Sequence, residues 1–141
     1  MTKILFLCVA NSARSQMAEA LAKSLLSSTI DVKSAGSQPG SRVHPAAVES
    51  LKEVGIDISS AIPKAISNLP SDFLTSDCLI VRLCAEEQCP IVSNSSVIDW
   101  NLADPASVEA DQQKLTFSQT RETLTKLIRQ LELNHLGEEN I

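Results

Sequence analysis

The run KILFL at residues 3–7 constrains this chain most, because it has the length and composition of a strand buried on both faces. It ends on Cys8. Arg14 comes six residues later, and from Ser15 onward Met17, Leu21 and Leu25 recur at helical spacing with Ala18 and Ala22 beside them. That pattern predicts an amphipathic helix from Ser15 to about Leu26. Further along, TIDVKSAGS reads as a second strand closed by Gly36, DCLIVRLC as a third and SSVIDW as a weaker fourth. Between them lies a helix opened by Pro45 and closed by Gly55, then a short extended GIDIS piece. SSAIPKAISNLP, broken by two prolines, reads as a loop with a brief helical turn. Phe117, Leu124, Leu127, Ile128 and Leu131 mark a long C-terminal helix. Strands alternating with helices predict an α/β fold with a parallel sheet covered on both faces. In such sheets ligands bind beyond the carboxyl ends of the strands, and Cys8, Cys84 and Asp104 all follow strand segments.

Composition narrows the function. With 141 residues and no linker, the expectation is a single domain over residues 1–134 with a frayed tail at 135–141. A net charge of −5 with interspersed signs excludes a basic nucleic-acid surface, and the lack of tyrosine and scarcity of aromatics leave little to stack on bases. No apolar run is long enough to span a membrane and no secretory signal is visible, so a cytoplasmic protein is expected. In that compartment four cysteines read as reactive thiols or ligands rather than as a disulfide framework. Zinc is not expected, since there is no Cys-x2-Cys pair and His44 and His135 have no ligand-like spacing.

The segment CVANSARS carries the chemistry. A loop between a strand and a helix N-terminus points backbone N–H groups at one place and so binds anions. The loop residues Val9, Ala10, Asn11, Ser12, Ala13, Arg14 and Ser15 would form that cradle, with the Arg14 fork matched to two oxygens of a tetrahedral oxyanion. The same positive field favours a thiolate at Cys8, and Ser15 could donate a hydrogen bond to it. Asn11, which tolerates left-handed backbone, would hold the curvature of the loop.

CVANSARSQMAEAL resembles the active-site segment of the low-molecular-weight protein tyrosine phosphatase superfamily, and NSxRSQMAE is most similar to its arsenate reductase branch. The resemblance continues through SAGS, SRVHPAAVESLKEVGIDIS, LCAEEQCP and DWNLADPA. It implies a flavodoxin-like, doubly wound sheet of four parallel strands in order 2-1-3-4. It also implies a Cys8 nucleophile and a general acid at Asp104, in the DP loop. Within that branch Cys84 would resolve the Cys8 adduct, Cys89 would carry the disulfide outward, and thioredoxin, or glutaredoxin with glutathione, would supply electrons, with no bound cofactor. The rival readings are a phosphatase that uses Cys8, Arg14 and Asp104 alone, and a non-catalytic oxyanion or redox sensor.

Several positions depart from the family pattern. Ala106 and Ser107 follow Asp104-Pro105 where tyrosine phosphatases carry aromatics. The Cys84-x4-Cys89 spacing is short for the thioredoxin-coupled relatives. Ala13 stands where a cysteine is common. Some relatives bind potassium behind the loop through positions matching Asn11, Glu19 and Ser34 plus an aspartate, and that last position is Lys64 here. Its ammonium could replace the ion and pair with Glu19; the plainer alternative is a solvated loop lysine. Cys78 is assigned no role, and Arg82 within an apolar strand has no evident partner in the sequence.

Overall fold

A computed structural model describes residues 2–84 and 96–132. Strand β1 (Lys3–Cys8) lies at the centre of the sheet, between β2 (Asp31–Gly36) and β3 (Cys78–Cys84), and β4 (Ser96–Leu102) forms the far edge. All pairings are parallel, in the order β2-β1-β3-β4. The helices are α1 (Arg14–Leu25), α2 (Pro45–Lys52) and α3 (Ala110–Leu131). Helix α1 therefore starts one residue earlier than the hydrophobic periodicity predicts, at Arg14 itself. Residues 56–58, expected to be extended, form no ladder in the sheet.

Period-two alternation divides β1 between two cores. Ile4 and Phe6 face Met17 and Leu21 of α1, Ala47 and Leu51 of α2, and Phe117, Leu124 and Ile128 of α3. Leu5 and Leu7 face a thinner layer in which Phe73, with Ile66, Leu69 and Leu74 behind it, covers Ala35 and Ile80. Burial on both sides is why β1 and most of β3 read as continuous apolar runs. β4 packs only Ile98, Trp100 and Leu102 against the helix-side core and exposes Val97, Asp99 and Asn101, so its sequence signal is weak. Trp100 meets Phe6 with ring centroids 5.8 Å apart.

The ends of α2 follow from local chemistry. Pro45 fills the first helical position, and the His44 ring nitrogen Nδ1 accepts a hydrogen bond from the Ala46 N–H at 3.0 Å. Gly55 adopts φ +81° just past the helix, allowing the Ile56 N–H to reach back to the Leu51 carbonyl at 3.0 Å. Arg82 also finds its explanation here. The register sets it opposite Asp99, and the two form a bidentate pair with Nε–Oδ1 2.6 Å and Nη2–Oδ2 2.8 Å at the open edge of the sheet. Among the described residues no helix is long and apolar enough to cross a membrane.

Candidate active site

The carboxyl end of β1 turns directly into the loop that leads to α1. Helix α1 has no side-chain cap and no acidic residue in its first turn, so nothing of opposite charge competes for its positive end. The loop is fixed from outside by backbone bonds: Gln38 N–H to Val9 carbonyl at 2.9 Å, Gly40 N–H to Ala10 at 2.9 Å, and His44 N–H to Ser12 at 2.8 Å. Asn11 takes the left-handed turn, with φ +52°.

Asn11 is wholly buried, and its amide uses all four of its hydrogen-bonding positions. Nδ2 donates to Ser15 Oγ at 2.7 Å and to Ser34 Oγ at 3.0 Å. Oδ1 accepts from Gln16 Nε2 and from the Lys64 N–H, each at 3.0 Å. This assigns direction to the neighbours. Because Ser15 Oγ accepts from Asn11, its own proton is available for Cys8 Sγ, 2.9 Å away. The Asn11 N–H also donates to Cys8 Sγ at 3.2 Å. Two donors thus converge on a buried sulfur at a helix N-terminus.

Behind the loop the network continues to a charge. Ser34 donates to Glu19 Oε1, and the Lys64 ammonium lies 3.3 Å from the same oxygen and 3.4 Å from Ser34 Oγ. Burial pushes the Glu19 carboxyl up, but hydrogen bonds from Lys23 and Ser34 and the charge of Lys64 outweigh it and hold the group below the ordinary carboxylate range. Glu19, Ser34, Asn11 and Lys64 therefore form one connected support for the loop.

Arg14 reaches across to the end of β4. Arg14, nearly buried, donates from Nη1 to the Leu102 carbonyl at 2.8 Å. Two residues on, Asp104 Oδ1 accepts from the Ala106 N–H at 2.9 Å and caps the 3-10 turn Pro105–Ser107. Leu7 pairs with Arg82, so Cys8 and Cys84 leave neighbouring strands at the same edge of the sheet. Cys8 and Cys78 are free thiols, whereas Cys84 is disulfide-bonded. Burial pushes the Cys78 thiol up to about 11. Cys89 and the 135–141 tail lie outside the described residues.

Two contributors escape a reading of the sequence. Gln16 holds Asn11 Oδ1 and also donates to the Ile62 carbonyl at 3.2 Å; the only hint was a glutamine in the first turn of a helix. Gly36, legible as a strand end, lies so close to the loop that a Cβ would come within 2.3 Å of the Val9 carbonyl oxygen.

The family model described as low molecular weight phosphotyrosine protein phosphatase matches residues 3–140. The chain belongs to that family. An arsenate reductase of Halalkalibacterium halodurans is 40% identical over 131 residues, which is 89% of this chain and 91% of the relative. A glutaredoxin arsenate reductase of Synechocystis is 36% identical over 134 residues, 91% of this chain and 97% of the relative. Among solved structures, a thioredoxin-dependent arsenate reductase of Corynebacterium glutamicum superposes with a TM-score of 0.67 at 30% identity, covering 94% of this chain and 63% of that one. The strand order is the one the resemblance implied, 2-1-3-4.

Proposed function

We propose that the protein is an arsenate reductase that couples oxyanion chemistry at Cys8 to a disulfide relay, working in the cytoplasm. Arg14 and the backbone of residues 9–15 hold arsenate. The Cys8 thiolate, supported by Ser15, attacks arsenic, and the departing oxygen leaves as water with a proton from Asp104. The Cys84 thiolate then attacks Cys8 Sγ. A sulfur–sulfur bond forms, the arsenic–sulfur bond breaks, and its electron pair stays on arsenic, which leaves as arsenite. Cys89 attacks Cys84, freeing Cys8 and leaving a Cys84–Cys89 disulfide for a dithiol protein such as thioredoxin, or for glutaredoxin with glutathione, to reduce. No bound cofactor is called for.

The placement of the cysteines supports this reading. Cys8 and Cys84 close neighbouring parallel strands at the same end of the sheet, which sets a second sulfur-bearing residue beside the nucleophile's strand. Phosphomonoester hydrolysis through Cys8, Arg14 and Asp104 has no use for a redox-active neighbour at the end of the adjacent strand. The arsenate reductases among the relatives, one named for glutaredoxin and one thioredoxin-dependent, support the same direction. In the loop's support, the Lys64 ammonium would serve as a built-in cation for Glu19 and Ser34 while its backbone N–H holds Asn11, stabilising the loop without an added ion.

The test is arsenate-dependent NADPH oxidation with a thioredoxin system and, separately, a glutathione–glutaredoxin system, using the unmodified protein, Cys84→Ser and Cys89→Ser. Loss of turnover in both variants with thioredoxin establishes the three-cysteine relay. Turnover only with glutaredoxin, surviving Cys89→Ser, keeps the reductase and removes the last exchange. Absence of arsenate turnover beside phosphoester hydrolysis indifferent to both substitutions would make the protein a phosphatase.

A further inference from the structure

β4 carries an insertion where it approaches the site. Arg82 pairs with Asp99 and Cys84 with Leu102, so β4 advances three residues where β3 advances two. The extra residue falls at Trp100–Asn101, and Asn101 adopts φ +50°, the left-handed region that non-glycine residues rarely occupy. Asn11 is the only other such residue among those described, and it forms the oxyanion loop. The Asn101 side chain is exposed and makes no hydrogen bond among the described residues. Its backbone is therefore its distinguishing feature.

The consequence lies one residue on. Successive carbonyls of a strand point to opposite sides, so an inserted residue reverses the aim of the next one. Leu102 keeps its side chain on the helix-side core while its carbonyl accepts from Arg14 Nη1 at 2.8 Å. Asp104 follows after a single intervening residue, with its carboxylate fixed by the cap on Ala106. One left-handed residue thus immediately precedes both a backbone acceptor for the guanidinium and the turn that carries the acid.

We propose that Asn101 is a positioning residue: its left-handed bulge in β4 aims the Leu102 carbonyl at Arg14 and thereby aligns Arg14 and Asp104 for the reaction. The inference rests on the reading of Arg14 as oxyanion holder and Asp104 as acid. It requires a backbone, and no side chain, at position 101. Glycine should serve as well as asparagine, alanine less well, and valine, β-branched and poorly tolerated at positive φ, least of all.

The experiment compares Asn101→Gly, Asn101→Ala and Asn101→Val in the full chain by two readouts. One is the arsenate concentration that halves the rate at which iodoacetamide alkylates Cys8, followed on the Cys8 peptide by mass spectrometry. The other is kcat and KM for arsenate with a dithiol donor. The glycine variant should match the unmodified protein in both, with alanine between. Valine should raise KM and the half-protecting concentration about tenfold and lower kcat as well. A merely structural role would lower the melting temperature and leave KM and protection of the folded protein unchanged, which overturns the proposal. So does a glycine variant as impaired as valine, because the amide side chain would then be what matters. Should valine fail to fold, the ranking of glycine against alanine decides. Absence of arsenate protection in the unmodified protein overturns the oxyanion reading and this inference with it; protection without the ranking overturns the inference alone.

Discussion

Gly36→Ala is a purely steric probe of the loop between β1 and α1. The added Cβ would lie 2.3 Å from the Val9 carbonyl oxygen, 3.0 Å from the Val9 carbonyl carbon and 3.1 Å from the Asn11 nitrogen. All three are backbone atoms of the loop, so no side chain can swing aside. Gly36 cannot retreat cheaply either. It pairs with Cys8 in the sheet, donates its N–H to the Lys64 carbonyl at 2.9 Å and bridges to Ala65 on the other side. Ordinary contact requires the loop to move by roughly 1 Å. The moving atoms include the Asn11 N–H that donates to Cys8, and a displacement of that size at a reacting centre costs about 100-fold in rate. Overpacking should also lower stability by about 1–3 kcal/mol. The assay is kcat/KM for arsenate beside arsenate protection of Cys8 from alkylation, with urea unfolding run in parallel. A Gly36→Ala protein with unchanged kcat/KM and protection would refute the reasoning, since the loop would then have room that its backbone contacts deny.

Asp104→Asn retains an oxygen that can accept from the Ala106 N–H, so the DP turn should persist while the proton donor is lost; kcat for arsenate should fall by about 100-fold or more with arsenate protection of Cys8 little changed. Lys64→Met should raise the Glu19 carboxyl toward its ordinary range. Because that carboxyl is depressed in the folded protein, its stabilisation is present above the unfolded value and lost as pH falls through the folded one. The variant's acid unfolding should therefore begin at higher pH, and strong potassium activation of the unmodified protein would refute the built-in cation. Cys78→Ala should keep full turnover, and Cys78 in the native protein should resist iodoacetamide at pH 8 while Cys8 reacts, as peptide mapping would show; its burial and a thiol pushed to about 11 leave almost no thiolate at that pH.

Much of this was legible in the sequence because it depends on local order along the chain. A buried strand, a cysteine, a loop and an arginine opening a helix are consecutive residues, and consecutive residues fix the cradle. The His44-Pro45 start and the Gly55 stop of α2 are local in the same sense. Local patterning also established the alternation of strand and helix, and with it a parallel sheet whose carboxyl edge gathers Cys8, Cys84 and Asp104. The Lys64–Glu19 pair could be anticipated only through a resemblance, because 45 residues separate the partners and neither carries a local signal of the other.

What only the tertiary structure decided depends on register and close approach. Arg82 is an anomaly until β4 sets Asp99 opposite it. The four-way satisfaction of Asn11 needs Ser34, Gln16 and Lys64 brought from three separate segments, and no spacing rule predicts which atoms will meet. The contact of Gly36 with Val9, and the extra residue in β4 that aims Leu102 at Arg14, involve backbone atoms that every residue type carries. Side-chain identity encodes hydrophobic period and chemical class. It does not encode where one backbone passes within 3 Å of another, and here that decides how the loop is held.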